Sequence, residues 1–400
     1  MRERFASSTN IAVIAAVVAV ISVSIGGTSA QAPSASTTAP ASALKTPWGE
    51  PDLQGIWTDE TDTPLQRPAR YANQEFFTPE QRAQLDRART DLLERERDRT
   101  ERGTARDVAG AYNSAFVSFK RTGARTSLIV DPPNGRLPPL TAEAQKIAAA
   151  EREFYLALLQ ATETCMAREP ACNGGKYDPT PSPRFAERPP RYNAVRYNRH
   201  DGPEDGALAD RCLTLGLPEF GNRTGSFRRI VQTPGGIAIF YDVGQGQSWQ
   251  RNIIMDGRPH LPAGIRQWYG DSRGRWEGDT LVIDVTNFSP KTDFQGAREN
   301  LHLVERWTRT GPTTLAYEVT VDDPTVWTRP WIVKQEFTKQ SDEQNRLYYE
   351  PRCVDSNYGL AGLLRARRVE ELAFQEGRGP DPRTMDYIKS GFVLNDDPLR

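Results

Sequence analysis

From residue 207 onward the chain alternates apolar and polar side chains in runs of strand length, broken by Gly, Asp and Pro about every ten residues, a pattern that confines it to an antiparallel sandwich or barrel. The runs are Arg229–Thr233, Gly236–Asp242, Arg251–Met255, Ile265–Gly270, Thr280–Val285, Leu301–Arg309, Leu315–Val321, Trp331–Phe337 and Arg346–Glu350. So many strands leave long unpaired edges in an open sheet, and closure removes them. The fold expected is mainly β with N-terminal helices: an up-and-down antiparallel β-barrel over 207–358, an open-mouthed, lipocalin-like cup. No repeat of 20–50 residues accompanies the eight Trp, so they do not mark propeller blades.

Other periods govern the flanks. Thr78-Pro79-Glu80-Gln81 reads as an N-cap, a first-turn Pro and an acidic start to a charged helix running to about Ala111. Arg125–Val130 reads as a short strand, and Thr141 opens a second, amphipathic helix through Leu159. Residues 48–206 therefore form a helical and extended region that ends in a Pro-, Arg- and Tyr-rich connection, and 359–400 read as a C-terminal helix and tail. With 37% hydrophobic residues the chain has material for a core, and 51 Lys+Arg against 52 Asp+Glu provide no global basic field to hold nucleic acid.

Arg2 and Arg4 precede a 15-residue apolar run, Ile11–Ile25, and small residues follow, which is the layout of a secretory signal peptide over 1–30 with maturation near Gln31. The run is too short to span a bilayer, and no other run in the chain is long enough. Residues 31–47, rich in Ala, Ser, Thr and Pro, form a disordered leader. Export places Cys165, Cys172, Cys212 and Cys353 in an oxidising periplasmic or extracellular compartment. Cys165 with Cys172 closes a short loop, and Cys212 with Cys353 ties the start of the second half to its end, the favoured pairing. With no CxxC pair and three His, a zinc site is not expected.

Several segments carry a wider likeness. Pro51-Asp-Leu-Gln-Gly-Ile-Trp57, Val130-Asp-Pro-Pro-Asn-Gly-Arg-Leu-Pro-Pro-Leu140, Gly257-Arg-Pro-His260, Gly270-Asp-Ser-Arg-Gly-Arg-Trp-Glu-Gly-Asp-Thr-Leu-Val282 and Trp327-Thr-Arg-Pro-Trp331 resemble the motifs of a large, mostly uncharacterised family of exported bacterial β-rich proteins. The resemblance spans nearly the whole mature chain and implies export and a β-rich cup, with no settled reaction. Where many relatives have Cys-His-Glu-Gly-Asn-Tyr this chain has Cys353-Val-Asp-Ser-Asn-Tyr358, so a role for that His does not carry over.

Candidate site residues follow from alternation. In Leu301–Trp307, period two sets Leu301, Leu303, Glu305 and Trp307 on one face and His302, Val304 and Arg306 on the other. With the leucines inward, Glu305 points into the cup, where desolvation disfavours its charge unless an Arg pairs with it, and it becomes the acid/base candidate. By the same alternation Glu318, Lys334 and Glu336 form an exterior charge ladder. His260, after a Pro and beside the charged turn Asp271–Asp279, is a second acid/base candidate, and Arg275 a stabiliser of developing negative charge. Asp271, His302, Trp268, Tyr269, Asn357 and Tyr358 are expected to line the mouth, whereas His200 is expected to face solvent. The chain has no P-loop, strand-linked GxGxxG, HExxH or GxSxG, so no cofactor is expected. Together these features point to a cofactor-independent lyase or isomerase acting by proton transfer on a hydrophobic aromatic molecule, such as a lignin-derived phenolic, with a lipocalin-like carrier as the alternative.

Overall fold

The computed structural model describes residues 44–99, 120–167, 172, 176–214, 216–220, 226–242, 248–341 and 358–387. The expected signal peptide, most of the leader, and the expected strand Arg346–Glu350 lie outside these residues.

The described strands are β1 (Gly55–Thr58), β2 (Thr61–Asp62), β3 (Arg121–Thr122), β4 (Ile129–Asp131), β5 (Phe227–Thr233), β6 (Gly236–Asp242), β7 (Ser248–Ile254), β8 (Asp271–Glu277), β9 (Thr280–Thr286), β10 (His302–Arg309), β11 (Thr314–Asp322) and β12 (Trp331–Lys339). Strands β5 to β12 pair in sequence order, and β1 pairs with both β5 and β12, closing a nine-stranded barrel. Closure is written in the register: Thr58 lies opposite Phe227 on one side and Thr338 on the other. Strand β4 takes the opposite end of β12, with Ile129 beside Val333. Every barrel pairing is antiparallel except the single β7–β8 bridge, Ile254 to Arg273.

Two of the sequence expectations need correction. The barrel is not confined to 207–358, because its closing strand comes from the Pro51–Trp57 motif. Gln232 holds that segment in place, its carboxamide accepting from the Leu53 N–H at 2.6 Å and donating to the Pro51 carbonyl at 3.0 Å. The second correction concerns Ile265–Gly270, which lies in a loop, while the supposed charged turn Asp271–Glu277 is strand β8. Its inward positions are Ser272, Gly274 and Trp276, so the apolar half of the alternation is muted, and its outward positions carry the charges. Gly274 is small of necessity, since a Cβ there would lie 2.3 Å from Met255 Sδ. The reversal itself falls at Gly278, whose φ is +61°.

Because β7 and β8 run parallel, residues 255–270 must return along the outside of the wall. The interior is filled by alternate residues, including Ile283, Leu303, Trp307, Leu315, Val319, Val333 and Phe337, all buried. Burying one such aliphatic side chain is worth about 1.5–3 kcal/mol. Lys334 and Glu318 pair outside at 2.8 Å, as the ladder requires.

Helix α1 (Pro79–Arg99) starts where Thr78 and Gln81 cap one another, the Thr78 hydroxyl accepting from Gln81 N–H and Gln81 Oε1 from Thr78 N–H. Helix α2 (Ala142–Ala157) is capped by Thr141, and α3 (Glu163–Met166) by Thr162. Helix α4 covers Tyr358–Gln375. None of the described helices is long and apolar enough to cross a membrane. Cys165 and Cys172 form a disulfide. Cys212 is disulfide-bonded as well, and Cys353 lies outside the described residues.

Candidate functional site

Strand β10 turns Glu305 inward, at 1% exposure. Its carboxylate receives two donors. The guanidinium of Arg251, from β7, reaches across the interior to Oε2, and the Tyr317 hydroxyl, from the neighbouring β11, donates to Oε1 at 2.8 Å. Tyr317 is the diagonal neighbour of Glu305, which lies directly opposite Val319. Burial opposes the Arg251 charge, but the Glu305 carboxylate more than offsets it and holds the guanidinium protonated. Burial, reinforced by the same carboxylate, keeps Tyr317 a neutral phenol well above its usual range.

A second polar group lies in the same interior. Arg228, fully buried on β5, donates to the Glu219 carbonyl at 2.7 Å and pairs with the Glu219 carboxylate, while its guanidinium sits 4.1 Å from the centre of the Phe337 ring. Asp59, just past β1, accepts from Lys120 at 2.6 Å and from Gln335 at 3.2 Å. Burial pushes the Asp59 carboxyl up to about 6, with Lys120 and Arg228 working against it. Leu217–Phe220 closes over this end, the Phe220 carbonyl accepting from Gln335 at 2.8 Å.

Aromatic rings lead inward. Half-buried Tyr269 stacks on Trp249 at 5.3 Å, and Trp249 on the deeper Tyr241 at 5.2 Å. Burial raises the Tyr269 hydroxyl to about 12 and the Tyr241 hydroxyl further still. Tyr241 faces Arg228 across one strand pair and lies diagonal to Arg251 across the other. Among the described arginines, Arg228 and Arg251 alone keep two buried nitrogens, Nε and Nη1, without a hydrogen-bond partner, and the Trp249 and Trp307 indole N–H groups are likewise unpartnered. An unmet buried donor costs about 1–3 kcal/mol, so these groups leave the interior with donor capacity that the described residues do not use.

The outer wall carries a separate cluster. His260, on the returning loop, places Nδ1 2.8 Å from Asp271 and Nε2 2.8 Å from Asp284, a carboxylate at each ring nitrogen. Arg273 Nε donates to Asp271 at 2.9 Å, and His302 Nε2 lies 3.2 Å from Asp284. The His302 and His260 contacts hold Asp284 below the usual carboxylate range, and the Asp284 contact raises His302. Burial pushes Asp271 up, but hydrogen bonds from the Leu261 N–H, His260 and Arg273 bring it below its ordinary value. Among the described residues no group of three or more His, Cys, Asp or Glu side chains is arranged to hold a metal ion.

Glu305, His260 and Arg275 are therefore not brought together. Glu305 faces the interior, and His260 packs against outward carboxylates. Arg275 is 56% exposed and pairs with Glu277 at 2.6 Å. Strand alternation separates them, since Asp271, Arg273 and Arg275 share the outer face of β8. Of the expected mouth residues, Tyr269 joins the aromatic ladder and Trp268 is half-buried in the loop. Asp271 and His302 belong to the outer cluster. Asn357 and the Tyr358 side chain lie outside the described residues. His200 is buried rather than solvent-facing, 4.9 Å from the Tyr387 ring, and burial lowers its pKa. Sequence reasoning missed Arg251, Arg228, Tyr317, Glu219 and Asp59, although Arg251 shares the inward face of its strand with the apolar Trp249 and Ile253.

No family model matches the chain, and no curated protein does. Solved structures similar to it include a secretary abundant heat soluble (SAHS) protein from Ramazzottius varieornatus, at 12% identity and a TM-score of 0.22, covering 33% of this chain and 82% of that one.

Proposed function

We propose that this is an exported protein whose barrel binds a hydrophobic aromatic small molecule, the flat part stacking along Tyr269, Trp249 and Tyr241 and an oxygen acceptor meeting Arg251 and Arg228. The observation that carries this reading is the meeting of an aromatic ladder with two buried guanidiniums that retain unmet donors. Glu305 fixes Arg251, and Tyr317 fixes Glu305, so the anchor is rigid. The disulfide-bonded Cys165, Cys172 and Cys212 support an oxidising compartment.

Turnover by cofactor-independent proton transfer, of a lyase or isomerase kind, is the second reading. It is favoured by the Tyr317 hydroxyl donating to the Glu305 carboxylate at 2.8 Å, which sets a proton donor and an acceptor in contact inside the barrel. Here Glu305 is the base, Tyr317 the proton relay and Arg251 the stabiliser of negative charge, in place of His260 and Arg275.

One experiment tests both. The mature chain is titrated with lignin-derived phenolic dimers, terpenoids and fatty acids while Trp fluorescence is followed, and each hit is incubated and weighed by mass spectrometry. Quenching by phenolics with unchanged ligand mass supports binding alone, and a changed mass abolished by Glu305→Gln supports turnover. Fluorescence indifferent to every aromatic compound, with Trp249 in the ladder, overturns the reading.

A further inference from the structure

The contacts around the two buried guanidiniums of the barrel close into a circuit. Arg228 stands 4.1 Å from the centre of the Phe337 ring, Phe337 stacks on Trp307 at 5.7 Å, and Trp307 packs against Tyr317 at 4.4 Å. The Tyr317 hydroxyl donates to Glu305, Glu305 pairs with Arg251, and the Tyr241 ring, diagonal to Arg251, lies 5.9 Å from Arg228. Arg228 and Arg251, 0% and 4% exposed, therefore line one level of the interior with Trp307 and, through its stack on Tyr241, with Trp249.

Two properties of this level decide what it can hold. The first is charge. Arg251 is matched by Glu305, Arg228 by Glu219 and the Lys120 ammonium by Asp59, so each of these cations has a carboxylate of its own. An anion entering here brings a charge with no free counter-charge, and burying such a charge is costly. The second is the kind of group left unmet. Among the described residues of this level, Nε and Nη1 of both guanidiniums and the indole N–H groups of Trp249 and Trp307 are donors without acceptors. The unmet acceptors, Asp59 Oδ1 and Gln335 Oε1, sit toward the end that Leu217–Phe220 closes. Stacking on Phe337 occupies the face of the Arg228 guanidinium and leaves its in-plane N–H groups to be met.

We propose that the ligand of the barrel is an uncharged aromatic carbonyl compound, a ketone or lactone in chemical class, whose oxygens accept from the free N–H groups of Arg251 and Arg228 while its rings stack along Trp249 and Tyr241. A carbonyl oxygen has two lone pairs and no charge, so it meets such donors and leaves the charge balance as it is. A carboxylate offers acceptors but adds an unmatched charge, and a hydrocarbon leaves the donors unmet. The assignment rests on the reading of the barrel as an aromatic binder and specifies the polar half of its ligand.

The test uses the full mature chain and three naphthalenes of similar shape: 2-acetylnaphthalene, 2-ethylnaphthalene and 2-naphthoate. Binding is read by equilibrium dialysis at neutral pH. The ketone binds about tenfold more tightly than the hydrocarbon, the equivalent of one hydrogen bond to a charged donor, and naphthoate binds more weakly than the ketone. Glu305→Gln, which leaves Arg251 without its counter-charge, reverses the order of ketone and naphthoate. Glu219→Gln does the same through Arg228 and decides the matter if the first variant fails to fold. The proposal is overturned if the wild type binds naphthoate as tightly as the ketone, if the hydrocarbon equals the ketone, or if a folded variant leaves the preference unchanged. In those cases the rings still bind, and the aromatic-binding reading stands. Binding of none of the three overturns that reading, and the proposal with it.

Discussion

The two faces of the barrel wall carry nearly the same chemistry in different media. Inside, Glu305 is held by Arg251 and Tyr317; outside, Asp271 and Asp284 are held by Arg273, His260 and His302. Both are close-contact sets: Tyr317 lies 2.8 Å from Glu305 inside, and the outer contacts run from 2.8 to 3.3 Å. What differs is solvent. At the outer cluster, water reaches the Asp284, His260 and His302 side chains, though not the buried Asp271, so losing a partner of Asp284 is repaired cheaply. Inside, nothing replaces a lost partner, and the same substitution leaves a naked charge.

The sharpest way to break this contrast is to remove one interior partner. Glu305→Ala should cost about 3–5 kcal/mol in urea denaturation, because Arg251 is left charged in the core, whereas Asp284→Ala on the outer wall should cost about 1 kcal/mol or less. Equal losses would mean that water reaches Glu305.

The next effect is a pH dependence of the interior. The Asp59 carboxyl is raised to about 6 in the folded chain against 3.8 in a free one. A raised folded value means that the group contributes its stability fully below the unfolded value and loses it as pH rises through the folded one. The wild type should therefore gain on Asp59→Asn as pH falls from 7 to 4, by about 2–3 kcal/mol at most. A flat difference across that window would show Asp59 to be solvated.

Tyr317→Phe removes one hydrogen bond to a charged acceptor and should cost about 1.5–3 kcal/mol, leaving the Arg251 pair in place. If thermal melts show less than 0.5 kcal/mol, roughly the noise of a surface change, the phenol is not structural. The smallest effect belongs outside. His302 is raised by Asp284, so its contribution is full below the free imidazole value and fades as pH climbs past the raised one. Because His302 is partly exposed, His302→Gln should change stability by under about 1 kcal/mol at pH 5.5 and by nothing measurable at pH 8. A loss at pH 8 equal to that at pH 5.5 would exclude the ion pair as its cause.

How much of this was legible differs by element. The strands β5, β6, β9, β10, β11 and β12 lie where alternation puts them, and Glu305 faces inward for the same period-two reason. Strand β8 was obscured because its inward positions hold Ser272 and Gly274, which contribute no hydrophobic signal. The partner of Glu305 was illegible for another reason: Arg251 sits on β7, with β8 and β9 between it and β10, and only the tilt and closure of the barrel decide which residues meet across the interior. An Arg was the right partner to expect, but the arginines of the Asp271–Asp279 segment face the other way.

The sequence by itself determined the strands β5, β6 and β9 to β12 and the faces of their side chains, the helix starts at Thr78 and Thr141, and the presence of a buried carboxylate, because these depend on neighbours in the chain. The tertiary structure alone decided that residues 55–58 close the barrel, that Arg251 and Tyr317 share Glu305, and that His260 is spent on the outer wall. Those outcomes depend on contacts between segments up to some 280 residues apart, such as Trp57 with Lys339, whose pairing is set by the filling of the common core and the satisfaction of its charges, and no local period encodes that.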